Sequence, residues 1–266
     1  MKSGISSWAF RWAIGTQDFT PASPLSVFDF LEKAAEFGAE AVQICENLPV
    51  STMANGELDA VARRAKALGL DLEIGMRGAS PENLRKHLNI AARLGAGILR
   101  VVLVAPGWEP SLQEQFDILD SFLPKLEKTG TTLAIENHFA YSPEELRKMI
   151  TNIDNPYIGF CLDPVNSISR LIGPKHIIRT LGDLSVTAHA KDARAVRSNT
   201  GFYVFGCPLG EGLVDLEGMI QSMKQNPRTR TIHVEAWMDR LSSEGQTLVQ
   251  EEQWVRQGIR YVRSLI

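Results

Sequence analysis

Strand-like apolar runs and helix-like amphipathic runs alternate along the whole chain. The strand-like runs are "GISSW" (4–8), "EAVQICE" (40–46), "LDLEIGM" (70–76), "GILRVVLVA" (97–105), "TTLAIENH" (131–138), "YIGFCLD" (157–163), "LSVTAHAKD" (184–192) and "RTIHVEAW" (230–237). Helical periodicity falls between them, at about 24–37, 55–69, 80–95, 111–129, 142–150, 168–181, 213–224 and 249–264. Two of these helices open on Ser-Pro, at Ser80-Pro81 and Ser142-Pro143, and Gly95 follows the end of the first. These are ordinary helix start and stop signals. Eight β/α units of roughly 25–40 residues predict a single (β/α)₈ TIM barrel spanning residues 1–266. An open doubly wound sheet fits less well, because the first turn, "SSWAFRWAIG", is no dinucleotide fingerprint. The short "GEG" at 210–212 reads as a turn before a helix.

The polar residues that matter sit at strand tails. The last four strands end on Glu136, Asp163, His189 and Glu235. In this fold the strand C-termini build the active site. Alternation puts Ala134, Glu136 and His138 on one face of strand five, and His233 with Glu235 on one face of strand eight. Three converging carboxylates repel each other, and a divalent cation relieves that repulsion. A Glu/Asp/His/Glu set of O and N donors suits Mn²⁺, which heads the set, then Co²⁺, Zn²⁺ or Mg²⁺. Each residue alone has an ordinary structural explanation; four in succession point to one metal site.

Composition narrows the function. The net charge of −3 and pI of about 6.0 give no basic nucleic-acid footprint. Cys45, Cys161 and Cys207 are isolated, which suggests reduced thiols and a cytoplasmic protein. No run approaches a membrane span, and Arg11 interrupts the only apolar stretch near the N-terminus, so neither a signal peptide nor a membrane partner is expected.

The pieces "AIENH", "FCLDPVNS", "AHAKD" and "HVEAW", with "GISSWAF" and "FLEKAAEFGAEAVQI", resemble the xylose-isomerase-like barrels of the sugar phosphate isomerase/epimerase type. The resemblance implies one divalent ion on Glu136, Asp163, His189 and Glu235, with Glu136 and Glu235 as proton-transfer residues on opposite sides of the substrate. Two departures stand out. Epimerases of the group often carry His where this chain has Asn166, and Arg where it has Ala195, beside Arg194 and Arg197. "AHAKD" is closer to isomerases and dehydratases of inositol-derived ketones.

The expected reaction is isomerisation or epimerisation of a ketose, inosose or related polyhydroxy carbonyl compound through an enediolate. An inosose-type dehydratase shares the first step. An apurinic-endonuclease-like metal hydrolase and a non-catalytic sugar-binding barrel are the remaining alternatives, the former disfavoured by charge. His138, Asn166, Lys191, His233, Arg77, Glu46, Trp8 and Trp108 are the expected substrate contacts. Of these, Arg77 is the best candidate for an anionic group, and Lys191 has a structural alternative in pairing with Asp163 or Asp192. The expected partner is a small sugar or cyclitol ketone, with a homo-oligomer allowed.

Overall fold

The computed structural model describes residues 1–266. Eight parallel strands close into a barrel: β1 (Lys2–Ser6), β2 (Ala41–Ile44), β3 (Asp71–Arg77), β4 (Ile98–Val102), β5 (Thr132–Glu136), β6 (Ile158–Leu162), β7 (Ser185–Ala190) and β10 (Thr231–Val234). Each strand pairs with its sequence neighbour in the barrel, and β10 returns to β1 with Gly4 opposite His233. The expected (β/α)₈ barrel is the observed one.

Outside run α1 (Arg11–Ile14), α2 (Val27–Glu36), α3 (Asn55–Ala67), α4 (Pro81–Leu94), α5 (Leu112–Thr129), α6 (Pro143–Ile153), α7 (Pro174–Leu181), α8 (Leu216–Met223) and α9 (Glu244–Leu265). Their starts follow local chemistry. Ser26, Ser80, Ser111 and Ser142 each accept a bond from the third backbone N–H of their helix. Gly95 and Gly130 end α4 and α5 in the left-handed conformation, at φ 69° and 65°.

Strand residues are buried on both faces, because helices cover the outside and side chains fill the inside. Leu99, Leu133, Ile135, Phe160 and Ile232 pack outward into the main apolar core. Inside the barrel, Ile98, Ala134, Cys161 and Val186 form a small apolar layer. The next inward position on β4 and β5 is Arg100 and Glu136, so an ionic layer sits just above the apolar one, and His189 of β7 reaches it from two residues beyond the inward Thr187.

Two segments depart from the sequence expectation. The first strand is Lys2–Ser6 rather than 4–8, and residues 7–14 fold as a 3₁₀ turn followed by α1. A hairpin, β8 (Ala193–Arg197) with β9 (Phe202–Gly206), fills the region after β7. Its residues are mostly exposed, Val196, Phe202 and Tyr203 included, so burial imposes no strand-like alternation on them. Arg194 there pairs with Glu211 on the surface.

Candidate metal centre and substrate cavity

The strand tails converge as the fold requires. Around His189 Nδ1 lie Glu235 Oε2 at 3.1 Å, Asp163 Oδ2 at 3.5 Å and Glu136 Oε2 at 3.9 Å. His189 and Asp163 are fully buried, and Glu136 nearly so. His189 Nδ1 and Glu235 Oε2 have no hydrogen-bond partner despite that burial. Buried polar atoms of this kind are costly unless something binds them. Their convergence with two more carboxylate oxygens fits a divalent ion of the hard, mixed O/N type.

The other imidazole nitrogen supports the same fit. His189 Nε2 lies 2.8 Å from Gln43 Oε1. Gln43 Nε2 donates in turn to Glu73 Oε2 at 3.0 Å. An amide oxygen can only accept, so the His189 proton belongs on Nε2 when Nδ1 holds a metal. Glu73 also accepts from Thr187 at 3.2 Å and from Thr231, and lies 3.1 Å from His233 Nε2. Cys161 Sγ is 3.4 Å from His189 Nε2, on the side of the imidazole already taken by Gln43. Burial pushes its thiol up, against thiolate formation. Cys161 is therefore packing beneath the site rather than a ligand, although it clusters with Glu136 and His189.

Electrostatics at the centre reflect crowding. Burial favours neutral His189, but the Glu235, Glu136 and Asp163 carboxylates outweigh it and favour the doubly protonated ring. Burial also raises the Glu136 carboxyl, with Arg100 and His189 pulling the other way. Asp163 goes down despite its burial, because Lys191, His189 and the backbone N–H of Asn166 favour its charge. Its Oδ1 accepts from the N–H groups of Val165 and Asn166, both at 2.8 Å. Asn137 clamps the Asp163 backbone from both sides, donating to its carbonyl at 2.7 Å and accepting its N–H at 2.8 Å. Asn137 alternates with Glu136 off the inward face, and these bonds brace the loop that follows β6.

Beside the ligand set is a cavity of about 150 Å³. Glu136 and Glu235 form its metal side, with Asn166 and Lys191 between them. Trp8, Arg77 and His138 also line it. His138 lies beyond β5, 3.3 Å from Arg77, and burial together with Arg77 lowers it to about 4, so the ring is neutral near pH 7. Asn166 donates to Glu136 Oε1 at 2.7 Å. Lys191 pairs with Asp163 at 3.1 Å and Glu235 at 2.8 Å, and lies 3.4 Å from Asn166 Oδ1. Its sequence alternative, Asp192, is engaged elsewhere: it accepts the N–H groups of Ala193, Gly210, Gly212 and Val214.

Three expected contacts fall outside this cavity. His233 is fully buried below the metal ligands, against Glu73. The barrel interior is deepest there, so a residue two positions before Glu235 lies one layer down. Trp108 lines a separate surface depression with Gly107 and Pro110. Glu46 stands behind Arg100, 2.9 Å from its Nη1, and 3.5 Å from Arg77 Nε.

Arg100, Arg11 and Trp237 line the cavity without having been singled out. Arg100 contacts Glu136 as well as Glu46. An arginine inside the apolar run of β4, and a glutamine inside that of β2, were the available signals. Four carboxylates (Glu46, Glu136, Asp163, Glu235) thus face four cations (Arg11, Arg77, Arg100, Lys191). A cleft of about 740 Å³ lies at the other end of the barrel beside Arg63, Lys66 and Arg230, away from the ligands.

The barrel and the buried His/carboxylate cluster at its strand C-termini define a TIM barrel with a candidate metal centre. More particularly, the chain belongs to the xylose isomerase-like TIM barrel family, whose model matches residues 31–265. A 3-oxo-isoapionate decarboxylase of Pectobacterium atrosepticum is 30% identical over 264 residues, covering 98% of this chain and 95% of that protein. Two solved structures share the fold. A xylose isomerase domain protein from Planctomyces limnophilus superposes with a TM-score of 0.74 at 15% identity, covering 99% of this chain and 96% of that one. A D-psicose 3-epimerase of Clostridium cellulolyticum H10, with D-tagatose, does so with a TM-score of 0.72 at 13% identity, covering 100% and 99%. No helix is long and apolar enough to cross a membrane.

Proposed function

We propose that this protein forms an enediolate on a small polyhydroxylated 3-oxo acid, and that it does so by releasing CO₂. The carrying observation is the charge arrangement. Arg11, Arg77, Arg100 and Lys191 line the cavity with Glu136 and Glu235, and Glu46 and Asp163 pair with these cations from behind the lining, so a divalent ion leaves two positive charges in excess over the four carboxylates. Such a site favours an anionic substrate over a neutral ketose. The full-length similarity to a 3-oxo acid decarboxylase supports the same class.

The two cavity glutamates support it from the other side. Glu136 is held by Arg100 and Asn166, and Glu235 by Lys191. Carboxylates paired in this way serve better as metal ligands than as bases for an unactivated C–H. Decarboxylation needs no such base. The bond between the carboxylate carbon and C2 breaks, and its electron pair becomes the C2=C3 bond of the enediolate. CO₂ leaves, the charge moves to the former carbonyl oxygen, and C2 then takes one proton. A divalent ion such as Mn²⁺ supplies Lewis-acid polarisation of that carbonyl when bound. Lys191, kept protonated by Asp163 and Glu235 against its burial, adds positive potential beside the developing oxyanion. Trp8 and Trp237 wall the cavity against water.

Proton-transfer epimerisation or isomerisation of a ketose is the second reading, with inosose dehydration as its elimination variant. It is favoured by the upward push of burial on Glu136, which brings a carboxyl toward acid–base use. The test is one reaction in D₂O. Metal-loaded protein is given a four- or five-carbon 3-oxo acid generated in place, and separately neutral ketoses. CO₂ release with one deuterium placed beside the product carbonyl supports the first reading. Deuterium exchange into a ketose without CO₂ from the acid supports the second and overturns the first.

A further inference from the structure

Arg11 differs from the other cations of the cavity. Arg100, Lys191 and Arg77 each have a carboxylate within ion-pair distance. Arg11 has none, and its Nε is buried without a hydrogen-bond partner. A guanidinium offers five donors and no acceptor, so such a group is incomplete until an anion meets it.

The surroundings hold this arginine in place. Its guanidinium stacks over the Trp12 ring, 4.6 Å from the centroid. Trp12 Nε1 donates to the Met238 carbonyl at 2.9 Å. The buried Glu251 of α9 accepts the backbone N–H groups of Trp12 and Ala13 at 2.7 and 2.9 Å. A planar fork fixed on a ring and tied to the last helix is pre-organised for a planar, two-oxygen acceptor.

We infer that Arg11 is the specificity-determining ligand for a carboxylate of the substrate, unpartnered at the cavity wall because that carboxylate completes it. The inference rests on the reading of this cavity as the substrate site, and not on CO₂ loss. A phosphate ester would share the charge. It would, however, want several converging donors, and Arg11 is the single unpaired cation here.

Calorimetric titration of the Mn²⁺-loaded protein with threonate, a polyhydroxy carboxylate, tests it. Erythrulose serves as the neutral ketose and erythrose 4-phosphate as the phosphate probe. Arg11→Gln is expected to weaken threonate about tenfold or more while leaving erythrulose within about twofold, since a charge-assisted bond is lost and nothing else. Arg11→Lys, which keeps the charge but not the fork, should fall between. Unchanged threonate binding in Arg11→Gln, equal loss of threonate and erythrulose, no threonate binding to the wild type, or tighter binding of the phosphate probe than of threonate each overturns the assignment. Arg11-dependent threonate binding without any CO₂ release from 3-oxo acids supports it and overturns the decarboxylase reading alone.

Discussion

Replacing Arg100 by methionine removes a cation that two carboxylates share inside the barrel. Arg100 is 3% exposed, and the Glu136 side chain 2%. The pair with Glu46 at 2.9 Å is worth about 6 kcal/mol at an effective dielectric of 20. Glu46 is a quarter exposed, so solvent screening brings that contribution down to about half. The buried partner matters more, because breaking a buried pair costs about 3–5 kcal/mol. The two losses share one guanidinium and do not add, so we expect Arg100→Met to lose about 4 kcal/mol in the metal-free protein, the scale of the buried pair alone. For 266 residues, at about 2.1 cal/mol/K each, this is a fall of about 7 °C in Tm. A bound divalent ion replaces part of the lost positive charge at Glu136, so the fall should shrink when Mn²⁺ is added. Adding Glu136→Gln to the variant should restore part of the metal-free stability. Scanning calorimetry in EDTA and in Mn²⁺, with urea unfolding as a check, measures all three. A fall of under about 1 °C in EDTA, or the same fall with and without metal, would refute the reasoning.

Other expectations follow from single contacts. Gln43→Leu strips the acceptor from His189 Nε2 and should weaken Mn²⁺ binding about 10–100-fold by calorimetry, with unchanged far-UV circular dichroism. Burial raises Glu251 to about 7, against the bonds from Trp12 and Ala13, so folding takes up a proton between pH 4.5 and 7. Its contribution is fully present below the unfolded value and is lost as pH rises through about 7, on the order of 3 kcal/mol. Glu251→Gln should flatten the stability-against-pH curve in that window; an unchanged slope in urea titrations would count against it. Asp192→Ala removes a carboxylate that accepts four backbone N–H groups and should cost about 3 kcal/mol or more, with faster proteolysis between residues 193 and 214. Gly206→Ala places a Cβ 1.5 Å from the Trp237 carbonyl oxygen, so it should shift the cavity wall and raise KM more than it alters Tm.

Legibility differed by element. The barrel was readable because parallel strands buried on both faces make continuous apolar runs, and because serine caps and terminal glycines marked the helices. The hairpin at 193–206 was not, since most of it is exposed and no core imposes a period on it. The ligand residues stood out because a charge at the end of a buried strand has no routine reason to be there. Arg100, Gln43 and Glu73 did not, although each is a polar residue in an apolar strand. Their meaning lies in partners 30 or more residues away.

By itself, the sequence determined the eightfold β/α order, the inward faces of strands five and eight, and the four polar tails. All of these depend on local periodicity and on the alternation of side chains along a strand. Tertiary structure alone decided the depth of each residue and who meets whom. It sank His233 against Glu73, turned Trp108 away and spent Lys191 on Asp163 and Glu235. It also left Arg11 without an anion. Charge pairing inside a barrel is a property of strands brought together by closure, and no stretch of chain carries it alone.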